Sequence, residues 1–156
     1  MARWRQVKQG KAPLPQEPKE EHKPAPIADR LKAFLTDTFM ITMPIMYIVI
    51  YLLMGSREEF RDHMAQGWLY ILIPHYLIVT LFWTFKGQTP GMKAYDIAIV
   101  RWFDETKRPN FLQSSIRYFA MPISILSIIG VLIAFFRSDR QTLHDLVSLT
   151  KLIHAK

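Results

Sequence analysis

The chain has 156 residues, half of them hydrophobic, a formal net charge of +7 at pH 7 and no cysteine. The lack of cysteine excludes disulfides, thiolate metal sites and cysteine nucleophiles. A mean hydropathy of +0.07 hides a division into very polar and very apolar blocks, whereas a soluble domain spreads its apolar residues at a helix or strand period. Because the basic residues flank the apolar blocks, we expect the positive charge to face a lipid bilayer, with no nucleic-acid partner.

The N-terminal segment is polar and rich in proline. Lysine and glutamate alternate there with Pro13, Pro15, Pro18, Pro24 and Pro26. Such a segment cannot bury enough apolar surface to offset the entropy lost on ordering it. We therefore predict a disordered polar tail over residues 1–26, followed by one transmembrane domain over residues 27–156.

Three apolar blocks predict membrane-spanning helices at residues 31–54, 68–85 and 118–136. The first block would extend about 36 Å as a helix, which is long enough to cross a bilayer with some tilt. The second has Trp68 and Tyr70 at one end and Trp83 and Phe85 at the other, as expected for two membrane interfaces. The third carries no formal charge. The predicted fold is an all-α polytopic membrane protein with about three transmembrane helices.

The distribution of lysine and arginine predicts the orientation of these spans. The tail through Lys32 holds eight such residues, the first loop holds Arg57 and Arg61, and the second loop holds six. This bias places the tail and the second loop in the cytoplasm. Three full spans would then leave the C-terminal segment outside, although Arg137 and Arg140 at its start favour the inside. We favour a full third span over the alternative, a block that enters the membrane and returns.

The second loop contains local signals of its own. Thr89 followed by Pro90 predicts a helix N-cap with proline in the first turn. Residues 95–100 are apolar and strand-like in composition. The simplest interpretation is a short amphipathic element that lies on the membrane surface.

Asp37 lies about two helical turns inside the first predicted span. A carboxylate near the bilayer centre costs about 2.5–3.5 kcal/mol on insertion scales, so it normally faces a bundle interior and has a partner. Two interpretations remain open: a buried ion pair that fixes helix register, and a carboxylate that binds a proton or a cation. Arg30 lies on the same helix face but points toward the N-terminus. We therefore expect Asp37 to meet Arg117 or another cation, which leaves Arg30 free for a carboxylate such as Asp145.

His75 follows Pro74 within the second predicted span. It is a candidate proton relay, because its reference pKa is about 6.5. The structural alternative is a ring that is hydrogen-bonded to a hydroxyl or to a carbonyl freed by the proline. No metal-ligand spacing, nucleophile elbow or phosphate loop occurs in the sequence. We expect no enzymatic activity, no cofactor and no metal.

These residues resemble the RDD family of bacterial membrane proteins. The match consists of Arg30 and Asp37 within DRLKAFLTDTF, Asp145 within RQTLHDLVSLT, and the linking stretch GQTPGMKAYDIAIV. It covers about residues 27–153, and it departs from the expected pattern at Met92, where a basic residue or glycine would be expected. The resemblance implies a multi-pass protein of the bacterial inner membrane. Cation–proton exchange is among the functions it implies.

The resulting functional hypothesis is a transport-related protein that uses Asp37, Arg30, Asp145, Arg117 and His75 to bind ions or protons. The alternative is a non-transporting scaffold or assembly partner. Three spans are few to enclose a pathway, so a carrier would need to form a homo-oligomer or to join a membrane protein partner. We also predict that Arg30 and Asp145 form one charged cluster at the cytoplasmic edge, which conflicts with three full spans in a single chain.

Overall fold

The computed structural model describes residues 22–127, 132–133, 135–138 and 140–155, and most of these residues are helical. The named elements are the helices α1 (Ile27–Leu53), α2 (Arg57–Asp62), α3 (Met64–Lys86), α4 (Pro90–Ala94), α5 (Phe111–Leu126) and α6 (Leu143–Val147), and the strands β1 (Ile97–Arg101) and β2 (Thr150–His154). Residues 1–21 of the predicted tail lie outside the described residues.

Helices α1 and α3 are long and apolar enough to cross a membrane, with mean hydropathies of 1.7 and 1.5. They contain the first two predicted spans. Helix α1 is not a uniform α-helix, because π-helical turns at Thr38–Thr42 and Ile48–Leu53 flank its segment Met43–Tyr47. Pro44 lies in that segment and has no backbone N–H to donate, so a regular hydrogen-bond ladder cannot continue through it.

The third predicted span is not confirmed as one helix. Helix α5 begins at Phe111, before the apolar block, and ends at Leu126, inside it. Ser127 has an extended backbone conformation with φ −79° and ψ 101°, which interrupts helical geometry. Residues 132–133 and 135–136 are helical again. The prediction of one continuous helix over residues 118–136 is therefore not confirmed.

A small antiparallel sheet corrects the all-α prediction. Strands β1 and β2 pair from Ile97 opposite His154 to Arg101 opposite Thr150. The side chains of Ile97 and Ile99 in β1 are almost fully buried. The strand-like composition of residues 95–100 was thus informative, and the position of this segment on the membrane surface stays a prediction.

The end of the predicted tail is ordered against this sheet. Pro24 forms a bridge with Ile153, and the Ala25 N–H donates to the Leu152 carbonyl at 3.1 Å. The His154 N–H donates to the carbonyl of Lys23 at 3.0 Å. Residues 22–26 therefore do not belong to a disordered tail, because they extend the sheet at the edge of β2.

One apolar core joins the sheet to the two long helices. Ala33 of α1, Trp83 of α3 and Met92 of α4 belong to the same buried cluster as Ile97 and Leu152 of the two strands. The outward faces of α1 and α3 are apolar and exposed, as expected for surfaces that contact lipid. This core holds the sheet against the end of the helix pair at which α1 begins.

Candidate functional site

Two groups of polar contacts lie at the junction between the helices and the sheet. We call the first the charge cluster and define it as Arg30, Arg117 and Asp145. The second is the Asp37 latch, which consists of Asp37, Thr89 and Gly91.

The charge cluster has a fully buried carboxylate at its centre. Nη1 of Arg30 donates to Oδ2 of Asp145 at 3.1 Å, and Nη1 of Arg117 lies 2.5 Å from Oδ1 of the same residue. The Asp145 side chain is 0 % exposed. The same Oδ2 also accepts from the backbone N–H and the hydroxyl of Thr142, at 3.0 and 2.9 Å. Asp145 therefore closes the capping box of α6 while it pairs with cations from α1 and α5.

Arg117 is held in place by two other contacts, with Thr150 and with Trp83. Its Nη1 donates to the hydroxyl of Thr150 at 2.8 Å, and this hydroxyl lies 2.6 Å from that of Ser148. The guanidinium lies over the ring of Trp83, 5.7 Å from the ring centroid, which is within the range of a cation–π interaction. The cluster thus connects α1, α3, α5, α6 and β2 around one buried ion-pair network.

The positive charge of the two arginines shifts the pKa values of Asp145 and of the adjacent His144, which both lie outside the spans. Burial alone would raise the pKa of Asp145, but the nearby charges, of which Arg117 is the largest, hold it at about 2. Burial, reinforced by the charge of Arg117, lowers the pKa of His144 to about 4. At neutral pH Asp145 is therefore an anion and His144 is neutral.

The carboxylate of the Asp37 latch binds the linker between α3 and β1. The Thr89 hydroxyl donates to Oδ2 of Asp37, and the Gly91 N–H donates to Oδ1 at 2.7 Å. Thr89 is also the N-cap of α4, and its hydroxyl oxygen accepts from the Met92 N–H at 3.3 Å. Asp37 therefore holds the first turn of α4 against α1, and the predicted Thr89-Pro90 cap is confirmed.

Gly91 permits this close approach because it has no side chain. A Cβ atom at this position would lie 2.3 Å from the carbonyl oxygen of Ala33 and 2.8 Å from Cγ of Asp37. Contacts this short require a shift of one of the two helices. The second glycine of the stretch GQTPG, Gly91, is therefore required for the contact between α4 and α1.

His75 joins α3 to α5. Its Nδ1 lies 2.7 Å from the hydroxyl of Tyr118, so the predicted hydrogen bond to a hydroxyl is confirmed. Further toward the charge cluster, the Tyr76 hydroxyl lies 2.7 Å from that of Ser115, and the Thr84 hydroxyl donates to Ser114 at 3.2 Å. We call these six residues of α3 and α5 the polar seam.

The five residues singled out in the sequence fall into three places: the charge cluster, the Asp37 latch and, for His75, the polar seam. Arg30, Arg117 and Asp145 lie together, and the predicted contact between Arg30 and Asp145 is confirmed. The predicted pairing of Asp37 with Arg117 is wrong, because Arg117 contacts Asp145 while Asp37 binds a hydroxyl and a backbone N–H.

Sequence reasoning did not identify four partners of these groups, namely Thr142, Thr150, the N–H of Gly91 and the Thr89 hydroxyl that binds Asp37. Thr142 precedes Asp145 by three residues, which is the spacing of a capping box, so that signal was present in the sequence. Thr150 and Gly91 are brought to the site only by tertiary folding.

Within the part of the chain that the structure describes, no group of three or more histidine, aspartate or glutamate side chains has the arrangement needed to hold a metal ion. The polar groups of the site mainly satisfy one another. Their evident chemistry is hydrogen bonding, charge pairing and proton binding.

The RDD family model matches residues 24–148, which include all the residues of the charge cluster and the Asp37 latch. No curated protein and no solved structure matches the chain at a significant level. With this match and two helices able to cross a membrane, the chain belongs to the RDD family.

Proposed function

We propose that this RDD-family membrane protein takes part in proton-coupled cation exchange, with Asp37 and His75 as the groups that bind protons. The observation that carries the proposal is that two apolar helices in contact with each other each contain an ionisable side chain, Asp37 in α1 and His75 in α3. Ionisable residues inside apolar spans are costly, and they usually mark ion or proton pathways.

The polar seam supports this proposal. It begins at His75 and Tyr118 and continues through hydroxyl pairs toward the end of the helices that carries the charge cluster. Hydroxyl and imidazole groups that are hydrogen-bonded across a helix interface provide sites between which protons can transfer.

Transport through this domain requires more than one chain. Two long helices and the shorter α5 are too few to enclose a pathway. Exposed apolar residues such as Phe39 and Leu52 on α1 and Leu69 on α3 provide faces for a second copy or a membrane protein partner. We therefore propose a homo-oligomer or a complex with another membrane protein.

The proposed topology has the N-terminus and the C-terminal segment both in the cytoplasm of a bacterial cell, with the domain in the inner membrane. The lysine and arginine bias supports the cytoplasmic N-terminus. The contact between Arg30 and Asp145 supports a third apolar block that enters the membrane and returns. A cysteine in place of Ser56 should react with an impermeant thiol reagent from outside. Labelling only after permeabilisation would contradict this orientation.

Ion flux in proteoliposomes that contain only the purified chain tests the exchange function. Wild-type protein should acidify or alkalinise the lumen when a sodium or potassium gradient is imposed. The Asp37→Asn variant should lose this flux while it remains inserted and folded. The matched control is Asp62→Asn, in an exposed pair with Arg61, which should transport like wild type.

A membrane scaffold is the second candidate function, and the geometry of Asp37 favours it. Both carboxylate oxygens accept hydrogen bonds from the linker, which is the arrangement expected of a structural clamp. A scaffold predicts wild-type flux equal to that of empty liposomes and an Asp37→Asn variant with lower thermal stability in detergent. That pair of results would refute the exchange proposal.

A further inference from the structure

An open groove with a volume of about 260 Å³ runs along one face of α3 near its C-terminal end. The lining side chains follow the spacing of a single helix face and are those of Ile78, Leu81, Phe82, Phe85 and Lys86. Leu81 and Phe85 are 42 % and 66 % exposed, so a molecule in the surrounding membrane can enter the groove. We call this feature the α3 groove. It is an apolar cleft that ends at a lysine.

The ammonium group of Lys86 lies beside the apolar part of the α3 groove. Its Nζ is 5.2 Å from the centroid of the Phe82 ring, one helical turn earlier. A long side chain on a helix points toward the helix N-terminus, which here brings the charge back toward the cleft. Gly87 follows with φ +69° and ends α3. Lys86 therefore marks the end of the apolar span, where the headgroups of the bilayer begin.

Arg108 brings a second positive charge to the same end of α3. Its Nη1 donates to the backbone carbonyl of Phe85, which is one of the residues that line the α3 groove. Its Cγ lies 3.5 Å from the position that a Cβ atom would take at Gly87. Both Lys86 and Arg108 are exposed. The two cations are thus attached to consecutive residues at the helix end, and both are accessible.

No carboxylate in the described part of the chain forms an ion pair with either of these two cations. The acidic residues of the loop that carries Arg108 are paired with other lysines, Asp104 with Lys107 and Glu105 with Lys151. An anion from outside the chain can therefore approach this end of the groove without competing with an internal partner.

We propose that the α3 groove binds one anionic phospholipid, with part of an acyl chain in the cleft and the phosphate at Lys86. The helix rises by about 10 Å from Ile78 to Phe85, which gives the chain a continuous apolar contact. A phosphate oxygen accepts from Nζ of Lys86, and Arg108 adds attraction at a distance within the Debye length of about 10 Å. Basic residues at a membrane interface typically recognise anionic headgroups. The site does not depend on the exchange function, because it would stabilise a scaffold equally well.

The test uses the full chain in a neutral maltoside detergent and measures the thermal unfolding temperature. Three probes are added separately: a short-chain phosphatidylglycerol, a short-chain phosphatidylcholine and inorganic phosphate. Lys86→Gln removes the charge at the groove, and its matched control is Lys93→Gln, on an exposed lysine of α4. Leu81→Trp fills the cleft, and its matched control is Leu72→Trp, at a position of α3 that is 48 % exposed and lies outside the groove.

Phosphatidylglycerol should raise the unfolding temperature of the wild-type chain and of both controls. Half-saturation should require about fivefold more of this lipid for Lys86→Gln, and Leu81→Trp should no longer be stabilised. Phosphatidylcholine should act only at higher concentration, and inorganic phosphate should have no effect, because it has no acyl chain. Equal stabilisation by the two lipids, or equal behaviour of each variant and its control, would overturn the proposal. Stabilisation by inorganic phosphate that is lost in Lys86→Gln would assign the site to a free anion and would overturn it as well.

Discussion

Replacing Asp145 by asparagine removes the carboxylate that pairs with both Arg30 and Arg117. The two guanidinium groups then remain buried without their anion, while the asparagine oxygen retains at most part of the hydrogen bonding to Thr142. Breaking a buried ion pair from one side costs about 3–5 kcal/mol. Because the Asp145 side chain is 0 % exposed and contacts two cations, we expect a loss near the middle of that range, about 4 kcal/mol.

The assay is the free energy of unfolding in mixed micelles of maltoside and dodecyl sulfate. The matched control is Asp62→Asn, which removes a carboxylate from an exposed pair in which the Asp62 and Arg61 side chains are 67 % and 72 % exposed. An exposed pair contributes at most about 1 kcal/mol. If Asp145→Asn destabilised the protein no more than Asp62→Asn, the charge cluster would not hold the fold together.

A double-mutant cycle separates the pairing from general damage to the core. The double variant of Arg117→Gln with Asp145→Asn should be more stable than the sum of the single effects predicts, by about 1–3 kcal/mol. The reason is that the second change removes a charge whose partner has already gone. Effects that add within about 0.5 kcal/mol would show that the two residues are not coupled.

Three further predictions concern the latch and the histidine. Gly91→Ala should destabilise the protein by about 1–3 kcal/mol, because the Cβ of the alanine would lie 2.3 Å from a carbonyl oxygen of α1. The control is Lys93→Ala, on the exposed side of α4, which should change the free energy of unfolding by less than about 0.5 kcal/mol. Thr89→Val should cost about 1–2 kcal/mol in chemical denaturation, because it removes the hydroxyl that both binds α1 and caps α4. The folded-state pKa of His144 is lowered to about 4. As the pH falls, the histidine of the unfolded chain therefore takes up a proton before that of the folded chain. The free energy of unfolding should decrease by about 3 kcal/mol between pH 6.5 and pH 4. His144→Gln should flatten the pH dependence of the unfolding temperature in that interval, and an unchanged curve would refute the assignment.

The first two spans were predictable from the sequence because composition and length decide them. An apolar block of about 20 residues has few alternatives to crossing the membrane. The contact between Arg30 and Asp145 was also predictable, since the direction of an arginine side chain on a helix disfavours Asp37 as its partner and the resemblance to the RDD family singled out Asp145.

The third block was not predictable in the same way. An apolar segment without charges has the same composition whether it crosses the membrane or enters and returns. The two arrangements differ in the contacts of the segment that follows the block. Here Asp145 pairs with Arg117 and β2 pairs with β1, and both are tertiary contacts. The break at Ser127 has no proline or glycine next to it in the sequence, so no local signal marked it.

The partner of Asp37 was missed because a buried carboxylate can be satisfied in more than one way. Electrostatic reasoning favoured a cation such as Arg117, yet a hydroxyl and a backbone N–H satisfy the same oxygens. The clue was present in the linker, where Thr89, Pro90 and Gly91 together favour the start of a helix that can approach closely. Only the folded chain brings that start to Asp37.

The central structural claim is that the C-terminal strand lies beside the segment preceding α1, on the same side of the membrane. The chain has no native cysteine, so a cysteine pair at Lys23 and His154, which are hydrogen-bonded through their backbones, can be tested without background. Mild oxidation of intact membranes should join this pair within one chain, whereas Lys23→Cys paired with Arg61→Cys should not cross-link. Two results together would contradict this arrangement. The cysteines at positions 23 and 154 would not cross-link, and an impermeant thiol reagent would reach them from opposite sides of the membrane.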